Sequence, residues 1–307
     1  MVQYLCKKAL ILLTSLFFVL TGTFFLMKLI PGDPFLDERI TEDVLRALRA
    51  YYGLDQPLWI QYIKYVKGFL TFDFGLSLIY HGRPVAQLIS QGFPVSAQLG
   101  LQALLVAVPS GILLGTWAAM KRSGWQDNAA MVISTLGISV PNFVFASLLQ
   151  YFVGLKLHLL PVARWGGFEH TILPTLALAA LPIAFIARLT RSNMVEVLQQ
   201  DFIRTAMAKG LPLFRIAITH GLRNALLPVI SYLGPVSAQI LTGSFVIERI
   251  FAIPGLGDWL IHSIHNRDYP VIMGITIFYS TLLLISIFLA DIAYSLLDPR
   301  IKRRPCL

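Results

Sequence analysis

The chain has 307 residues, of which 56% are hydrophobic and only 13% charged, and its mean hydropathy is +0.69. About a quarter of an ordinary soluble domain is charged, so this composition excludes a soluble enzyme and indicates an integral membrane protein. The formal net charge is +9, and the only cysteines are Cys6 and Cys306, which excludes a disulfide framework or a thiolate cluster.

Lys7 and Lys8 precede an apolar stretch over 9–26, too long for a secretory signal core and followed by no small-x-small cleavage site before Pro31. It reads as a retained membrane anchor. Apolar windows at 9–30, 97–120, 129–155, 171–187, 229–247 and 271–293 predict six membrane helices. Pro174 and Pro182 interrupt the fourth, which a membrane helix tolerates when neighbours satisfy the freed carbonyls.

Between the first two windows lies the longest loop, 31–96. Thr41 and the acidic residues after it predict a short helix over 41–52, ended by Gly53 and Pro57. Residues 58–70 then carry Trp59, Tyr62, Tyr65 and Val66 at helical spacing, with Lys64 and Lys67 between them. Two placements suit that pattern: an amphipathic helix at the outer interface with its aromatic face in lipid, or one packed on the protein's own outer helices. Gly75, Gly82 and Pro84 break the chain before it re-enters through 85–96.

Small residues mark where spans approach closely: Gly111, Gly115, Ala118 and Ala119 in the second, Gly137, Ser139 and Ala146 in the third, Gly234 and Ser237 in the fifth. Pro141-Asn142 predicts a kink in the third. The charges are unevenly divided. The amino end, 121–128, 188–228 and the tail from Asp291 hold 14 basic and 5 acidic residues, and the other faces hold 11 of each. The basic set is the inner one, so both termini are expected in the cytoplasm. Topology therefore accounts for the positive balance, and a nucleic-acid partner is not indicated.

The inner segment Thr190 to Pro228 runs for 39 residues, far more than a connection needs. Its periodicity predicts one helix over 192–208, with Met194, Val195, Leu198 and Phe202 on a face, a stop at Gly210 and Pro212, and a second helical stretch over 213–227. The small Ala206 and Gly210 allow close approach of a partner helix. Arg204, Lys209, Arg215 and Arg223 offer charge to an acidic cleft or to lipid headgroups.

Catalytic signatures are absent. No GxxxxGK[ST] phosphate cradle, HExxH pair or GxSxG elbow occurs. His81, His158, His170 and His220 are isolated; His262 and His265 lie three apart near Asp258 and Asp268, a spacing that fits a surface metal contact or, as we favour, solvated or interface histidines. Asp291 stands at the end of the last window, where it is solvated at the headgroups or meets an arginine. Gln98, Gln102, Ser134, Thr135, Ser139, Asn142, Ser147, Gln150, Ser237, Gln239 and Thr242 are candidates for a hydrophilic pathway, with inter-helix hydrogen bonding as their alternative role.

FIRTAMAKGL followed by HGLRNALLPVI resembles the cytoplasmic coupling loop of bacterial ABC importer permeases, in the dipeptide, oligopeptide and nickel branch. The opening KKALILLTSLFFVLTGTFFLMKLIPGDPF, the outer stretch YGLDQPLWIQYIKYVKGFLTFDFGLSLIYHGRPV and the late loop ERIFAIPGLGDWLIHSIHNRDYPVIMG resemble the amino-type subunit of that heteromeric pair, in the same order. Where the general importer signature has Glu-Ala-Ala, this chain has Arg204, Thr205 and Ala206, and Leu227 and Pro228 stand farther along, both as in the peptide branch.

The resemblance implies an all-α polytopic bundle of the type I permease fold, with six transmembrane helices and a cytoplasmic coupling helix. It divides the chain into a first helix with its outer segment over 1–96, a five-helix core over 97–293 with the coupling loop at 190–228, and a basic tail over 294–307. Coupling to the ATPase is assigned by it to Phe202, Arg204, Thr205, Ala206, Lys209, Gly210 and Leu211. The family's outer loop corresponds to Glu248, Arg249, Phe251, Pro254, Gly255 and Gly257, in which the glycines let the backbone turn or re-enter. As implied partners there are a second homologous permease, two cytoplasmic ATP-binding subunits that use ATP and magnesium, an extracytoplasmic substrate-binding protein, peptides and inner-membrane lipids. This chain itself would bind no cofactor or metal and catalyse no reaction. Import of a nickel or metal chelate is the alternative within the family. An ATP-independent channel or secondary transporter is the alternative outside it.

Overall fold

The computed structural model of the chain describes residues 2–29, 46–47, 49–51, 53–80 and 82–297. Most of the helix expected over 41–52, together with His81 and residues 298–307, lies outside them, although 46–47 and 49–51 are helical. Among the described residues the only β pairing is a bridge between Leu76 and Pro84.

The chain runs through α1 (Val2–Leu29), α2 (Leu58–Thr71), α3 (Val85–Met120), α4 (Trp125–Ser139) and α5 (Asn142–Leu149), which continues as a π-helical turn, Gln150–Lys156. Then follow α6 (Glu169–Val197), three short pieces α7 (Asp201–Ala208), α8 (Leu213–Ile216) and α9 (Leu222–Ala225), and a π-helical turn Ala217–Gly221 between the last two. The chain ends in α10 (Leu227–Leu241), α11 (Phe245–Ile250), α12 (Leu256–His265) and α13 (Tyr269–Leu297). Among the described residues five stretches are long and apolar enough to cross a membrane: Cys6–Leu29, Val85–Met120, Glu169–Val197, Leu227–Ile250 and Tyr269–Ala293.

The expected third span is not one helix. Its two parts, α4 and α5 with the π turn, meet at 103°, and they supply a sixth crossing only when taken together. Pro141 is the cause, since its ring drives the preceding residue out of the helical region and Val140 is extended at φ −83°, ψ 120°. At the second span the departure is in length. α3 has 36 residues and so extends about 54 Å, with its first turns reaching beyond a hydrocarbon core of roughly 30 Å.

In lipid there is little hydrophobic drive between helices, so they associate by close packing of small residues. α3 and α6 show this most fully. A Cβ on Gly111 would lie 2.7 Å from Ile186 Cβ and 3.0 Å from the Ile183 carbonyl, and one on Gly115 would lie 2.8 Å from Thr190 Cβ. Nearer the outer end, Gly100 gives the same intimacy with α10, where a Cβ would stand 2.8 Å from Leu241 Cα. Around these crossings Leu99, Ala103, Ala107, Ala146, Leu173, Ala177, Ile240, Ile247 and Phe251 form the main buried core. In the fifth span, Gly234 receives Ala290 of α13.

α1 stands at the edge against α13, and Asp291 pairs there with Lys8 at 2.8 Å rather than with an arginine. α2 lies on the outer part of α1: the Tyr62 hydroxyl meets Thr21 Oγ1 at 2.8 Å, and Phe24 packs between Tyr62 and Tyr65. Burial, with Tyr62 beside it, pushes the Tyr65 phenol up. The placement on the protein's own helix is thus the one realised for these tyrosines, while Trp59, Ile63 and Leu70 stay exposed.

The crossing is sensitive to single methyl groups. Gly111→Val is expected to destabilise the bundle by about 1–3 kcal/mol through overpacking, read as a lowered thermal unfolding midpoint in detergent, whereas Gly22→Ala, with open space around it, leaves the midpoint unchanged.

Candidate functional site

The helix expected over 192–208 is divided in the structure. Residues up to Val197 complete α6, Gln200 is extended at φ −76°, ψ 155°, and α7 begins afresh at Asp201. No glycine or proline occurs at 198–200, so the break is imposed by packing. Leu198 reaches two buried clusters at once, one with Ala119, Met194, Val197, Ala217 and Ala225, the other with Ile203, Ala206 and Ile216. An acidic first-turn residue, Asp201, is the one local sign of the new start.

α7 has an inner and an outer face. Ile203 and Ala206 are buried against Ile216, with Leu211 half-buried beside them. Phe202, Arg204, Thr205, Met207, Lys209 and Gly210 are exposed, and beyond the turn so are Leu213, Phe214 and Arg215. The small size of Ala206 therefore serves packing within the element and is not presented to a partner. Gly210 has a different reason from the one expected: its φ is +79°, with open space where a side chain would go. It ends α7 by a left-handed turn, its N–H bonded to the Met207 carbonyl at 2.9 Å.

This element is fastened to the bundle. Gly221 lets Met194 of α6 come close, with a Cβ there 3.2 Å from Met194 Cε. Just upstream, Arg191 of α6 donates to Asp127 of α4 through Nε at 2.9 Å and Nη2 at 2.7 Å, and the Ser123 N–H donates to the same carboxylate at 3.0 Å. Asp127 is buried and Arg191 partly exposed, so the fork is worth more than a surface pair and less than a wholly buried one. The turn between α3 and α4, the end of α6 and the short pieces α7 to α9 thus form one body.

On the opposite side, Glu248 is fully buried on α11. Ser96 Oγ of α3 donates to its Oε1 at 2.7 Å, the Gly257 N–H donates to Oε2 at 2.8 Å, and Ser96 Oγ accepts from the Leu256 N–H at 2.9 Å. The first amides of α12 are thereby satisfied by α3 and α11. Gly255 and Gly257 do not serve a turn: φ at Gly255 is an ordinary −95°. They leave room for the carboxylate, since a Cβ on Gly257 would lie 2.8 Å from Glu248 Oε2 and one on Gly255 would strike it. Phe251 is buried and Pro254 exposed.

Arg249 is exposed and bonds Asp258 at 3.0 Å and His262 Nε2 at 3.1 Å. That places a cation where a metal would have to sit. Asp268 is engaged elsewhere: it accepts from Ser77 Oγ and from the Leu78 N–H at 3.1 Å, fixing the loop before α3 to the start of α13. Burial, and after it the Asp268 and Asp258 carboxylates, raise the phenol of Tyr80 in that loop. Among the described residues no three His, Cys, Asp or Glu side chains are grouped to hold a metal.

The pathway candidates separate into classes. Gln102 joins Thr175 across α3 and α6 at 3.2 Å, and the Ser237 and Thr242 hydroxyls bond carbonyls of their own helix at 2.9 and 2.8 Å. Gln150 is a staple, its Nε2 donating to the carbonyls of Val162 at 2.9 Å and Ile250 at 3.0 Å. Asn142 lines a cavity of about 360 Å³ at the bend, beside Ser134 and Gly137. Gln98, Ser139 and Gln239 are exposed on the bundle surface. Ser96, Asp127, Arg191, Ser77 and Gln150 as a staple were not apparent in the sequence, because each acts through a partner far along the chain.

Comparison with known proteins decides what kind of bundle this is. The family described as "Binding-protein-dependent transport system inner membrane component" matches residues 111–303, and the one described as the N-terminal part of such a membrane component matches residues 1–99. The chain belongs to this family. Dipeptide transport system permease protein DppB of Bacillus subtilis is 54% identical to it over 303 residues, 98% of either chain, and DppB of Lactococcus lactis is 44% identical over 98% of this chain and 100% of its own. Oligopeptide transport system permease protein OppB of Escherichia coli is 40% identical over 98% of this chain and 100% of its own. Among solved structures, an inward-facing MetNI methionine ABC transporter shares the fold, with TM-score 0.54 and 16% identity over 69% of this chain and 97% of that one. The permease is a multi-pass inner-membrane transport subunit without catalytic function.

The buried Glu248 is expected to govern the stability of the outer end. Glu248→Ala leaves Ser96 and the Gly257 amide without their acceptor and costs about 1–3 kcal/mol, lowering the thermal midpoint of the purified permease, whereas Glu248→Gln, which keeps the shape and one acceptor, lowers it by less than half as much.

Proposed function

We infer that the permease forms half of the membrane passage of an ATP-driven bacterial importer of dipeptides or oligopeptides. The observation that carries this is the 54% identity to a dipeptide permease over 98% of both chains. A second, related permease completes the passage. Two cytoplasmic ATP-binding subunits drive it, using ATP and magnesium, and an extracytoplasmic binding protein delivers the peptide. The excess of basic residues on the inner faces supports cytoplasmic termini. In this reading residues 1–96 are an accessory part beside the core 97–293, and 294–307 are a cytoplasmic tail.

Coupling follows from the two faces of α7. The exposed Phe202, Arg204, Thr205, Met207 and Lys209 enter a cleft of the ATPase, with Phe202 as apolar anchor and Arg204 and Lys209 as charged rim. When ATP draws the two ATPases together, the force enters through Ile203 and Ala206, passes to Ile216 and Leu198, and reaches the ends of α6 and α3 through Met194 and Ala119. Packed cores transmit such displacements as body motions. ATP binding favours the state open to the outside, and hydrolysis resets it. The peptide crosses unchanged.

Vesicles containing the reconstituted complex are expected to take up labelled di- and oligopeptides only with ATP. Phe202→Glu is expected to reduce that uptake at least about tenfold, as loss of a central interface anchor does, with no change in the thermal midpoint, because the side chain lies outside the buried clusters. Uptake of a nickel chelate with none of peptide would overturn the substrate assignment, and peptide uptake without ATP would overturn the importer reading.

A further inference from the structure

The loop over 157–168, between the π turn and α6, is fastened along its length. The Gln150 side chain holds the Val162 carbonyl, the Arg164 N–H donates to the Phe251 carbonyl at 2.8 Å, and the Leu159 N–H donates to the Val153 carbonyl at 3.1 Å. Leu160 and Trp165 pack on the main core, and Val162 comes against Gly154, where a Cβ would stand 2.9 Å from Val162 Cγ2. His158 and Arg164 are held at φ 51° and 86°, conformations that non-glycine residues keep only when their surroundings enforce them.

This rigid loop presents apolar side chains to the outside. Leu157, Leu159 and Phe168 are 61%, 68% and 72% exposed. Irregular backbone is not admitted to the hydrocarbon core, so these side chains are held in water or at its edge, where large apolar groups on a fixed frame mark an interface. The charges around them are basic. Lys156 and Arg164 are exposed without an ion-pair partner among the described residues, and Arg249 lies two residues before Phe251, whose carbonyl Arg164 bonds. Glu248 and Asp268 of the same side are wholly buried, and Asp258 is taken by Arg249 and His262. Glu169 is the one exposed acid close in sequence.

We propose that the 157–168 loop, braced on residues 250–251, is a preformed docking ridge for the extracytoplasmic substrate-binding protein, fitting an apolar groove with an acidic rim on that protein. The inference rests on the importer reading and adds to it the surface and the chemistry of contact. The family's dependence on a binding protein and the unpaired, exposed Lys156 and Arg164 at the ridge both favour this occupant. Leu157 and Leu159 supply the desolvated centre, and Lys156 and Arg164 supply steering and orientation.

The test uses the complete transporter in nanodiscs with the binding protein encoded alongside it, measuring its affinity and the ATPase stimulation it produces. Leu159→Ser and Arg164→Glu are each expected to weaken binding about tenfold while basal ATPase stays at the unaltered level. Arg164→Lys is expected within threefold of the unaltered complex, and the Arg164→Glu affinity is expected to depend less steeply on salt. A stimulated unaltered complex whose Leu159→Ser and Arg164→Glu variants bind within twofold overturns the proposal alone. So does a fluorescent probe on Leu159→Cys that is quenched by brominated lipid and unaffected by the binding protein. An unaltered complex that the binding protein neither binds nor stimulates overturns the importer reading, and this proposal with it.

Discussion

The close crossing of α3 and α6 is the constraint on which the rest of the permease depends. At Gly111 and Gly115 the α3 backbone receives Ile186 and Thr190 of α6 with no side chain of its own between them, and dispersion over that contact does for a membrane bundle what hydrophobic burial does for a soluble one. α3 then runs as one element from Ser96, which holds Glu248 at one end, to Ala119, which packs on Met194 under α7 to α9 at the other. The separation is about 35 Å along a continuous helix. In the coupling we propose, a displacement of α7 reaches the latch at Ser96 along α3, which is supported along its length by α6.

Three carboxylates show how loops are tied to that frame. Asp127 joins the inner turn to α6, Glu248 joins α11 and α12 to α3, and Asp268 joins the loop before α3 to α13. Only Asp127 has an arginine; the other two are held by hydroxyls and backbone N–H groups. Such bonds orient as well as neutralise, since an acceptor fixed by donors from two elements defines the angle between them. These acids also change the electrostatics of the outer side. Acids and bases balance there in the chain, yet two of the acids are withdrawn from its surface.

Much of this was legible in the sequence. Hydropathy placed five of the spans, the small residues of the second and fifth marked real crossings, and the length of the 190–228 segment singled out a stretch that folds into several short helical pieces. What escaped reading was set by partners distant along the chain. Ser96 and Glu248 are 152 positions apart, and nothing local to either announces the pair. Gly255 and Gly257 signalled a turn but exist to admit a carboxylate. Ala206 looked available to a partner because composition does not reveal which face of a short helix is covered. Leu198 and its neighbours carry good helix formers, yet two hydrophobic clusters pull the chain apart there, a case of tertiary packing overriding propensity. Pro141 was read as a kink and proved to be a right-angled break.

That break has a mechanical meaning. The inner limb of the bent pair is clamped to α6 by the Asp127–Arg191 fork, and the outer limb is clamped to α11 by Gln150. Between the clamps, the Val140 N–H closes the last turn of α4 on the Leu136 carbonyl at 2.9 Å and the Pro141 carbonyl opens α5 by accepting from Val144 at 2.9 Å, so one helical ladder ends and another begins at this pair. Bending stiffness along the pair is therefore lowest at that corner, and torsion from unequal rotation of its two ends gathers in the Val140 and Pro141 backbone dihedrals. A relative rotation of the two limbs would be taken up at this corner, with each limb keeping its own packing.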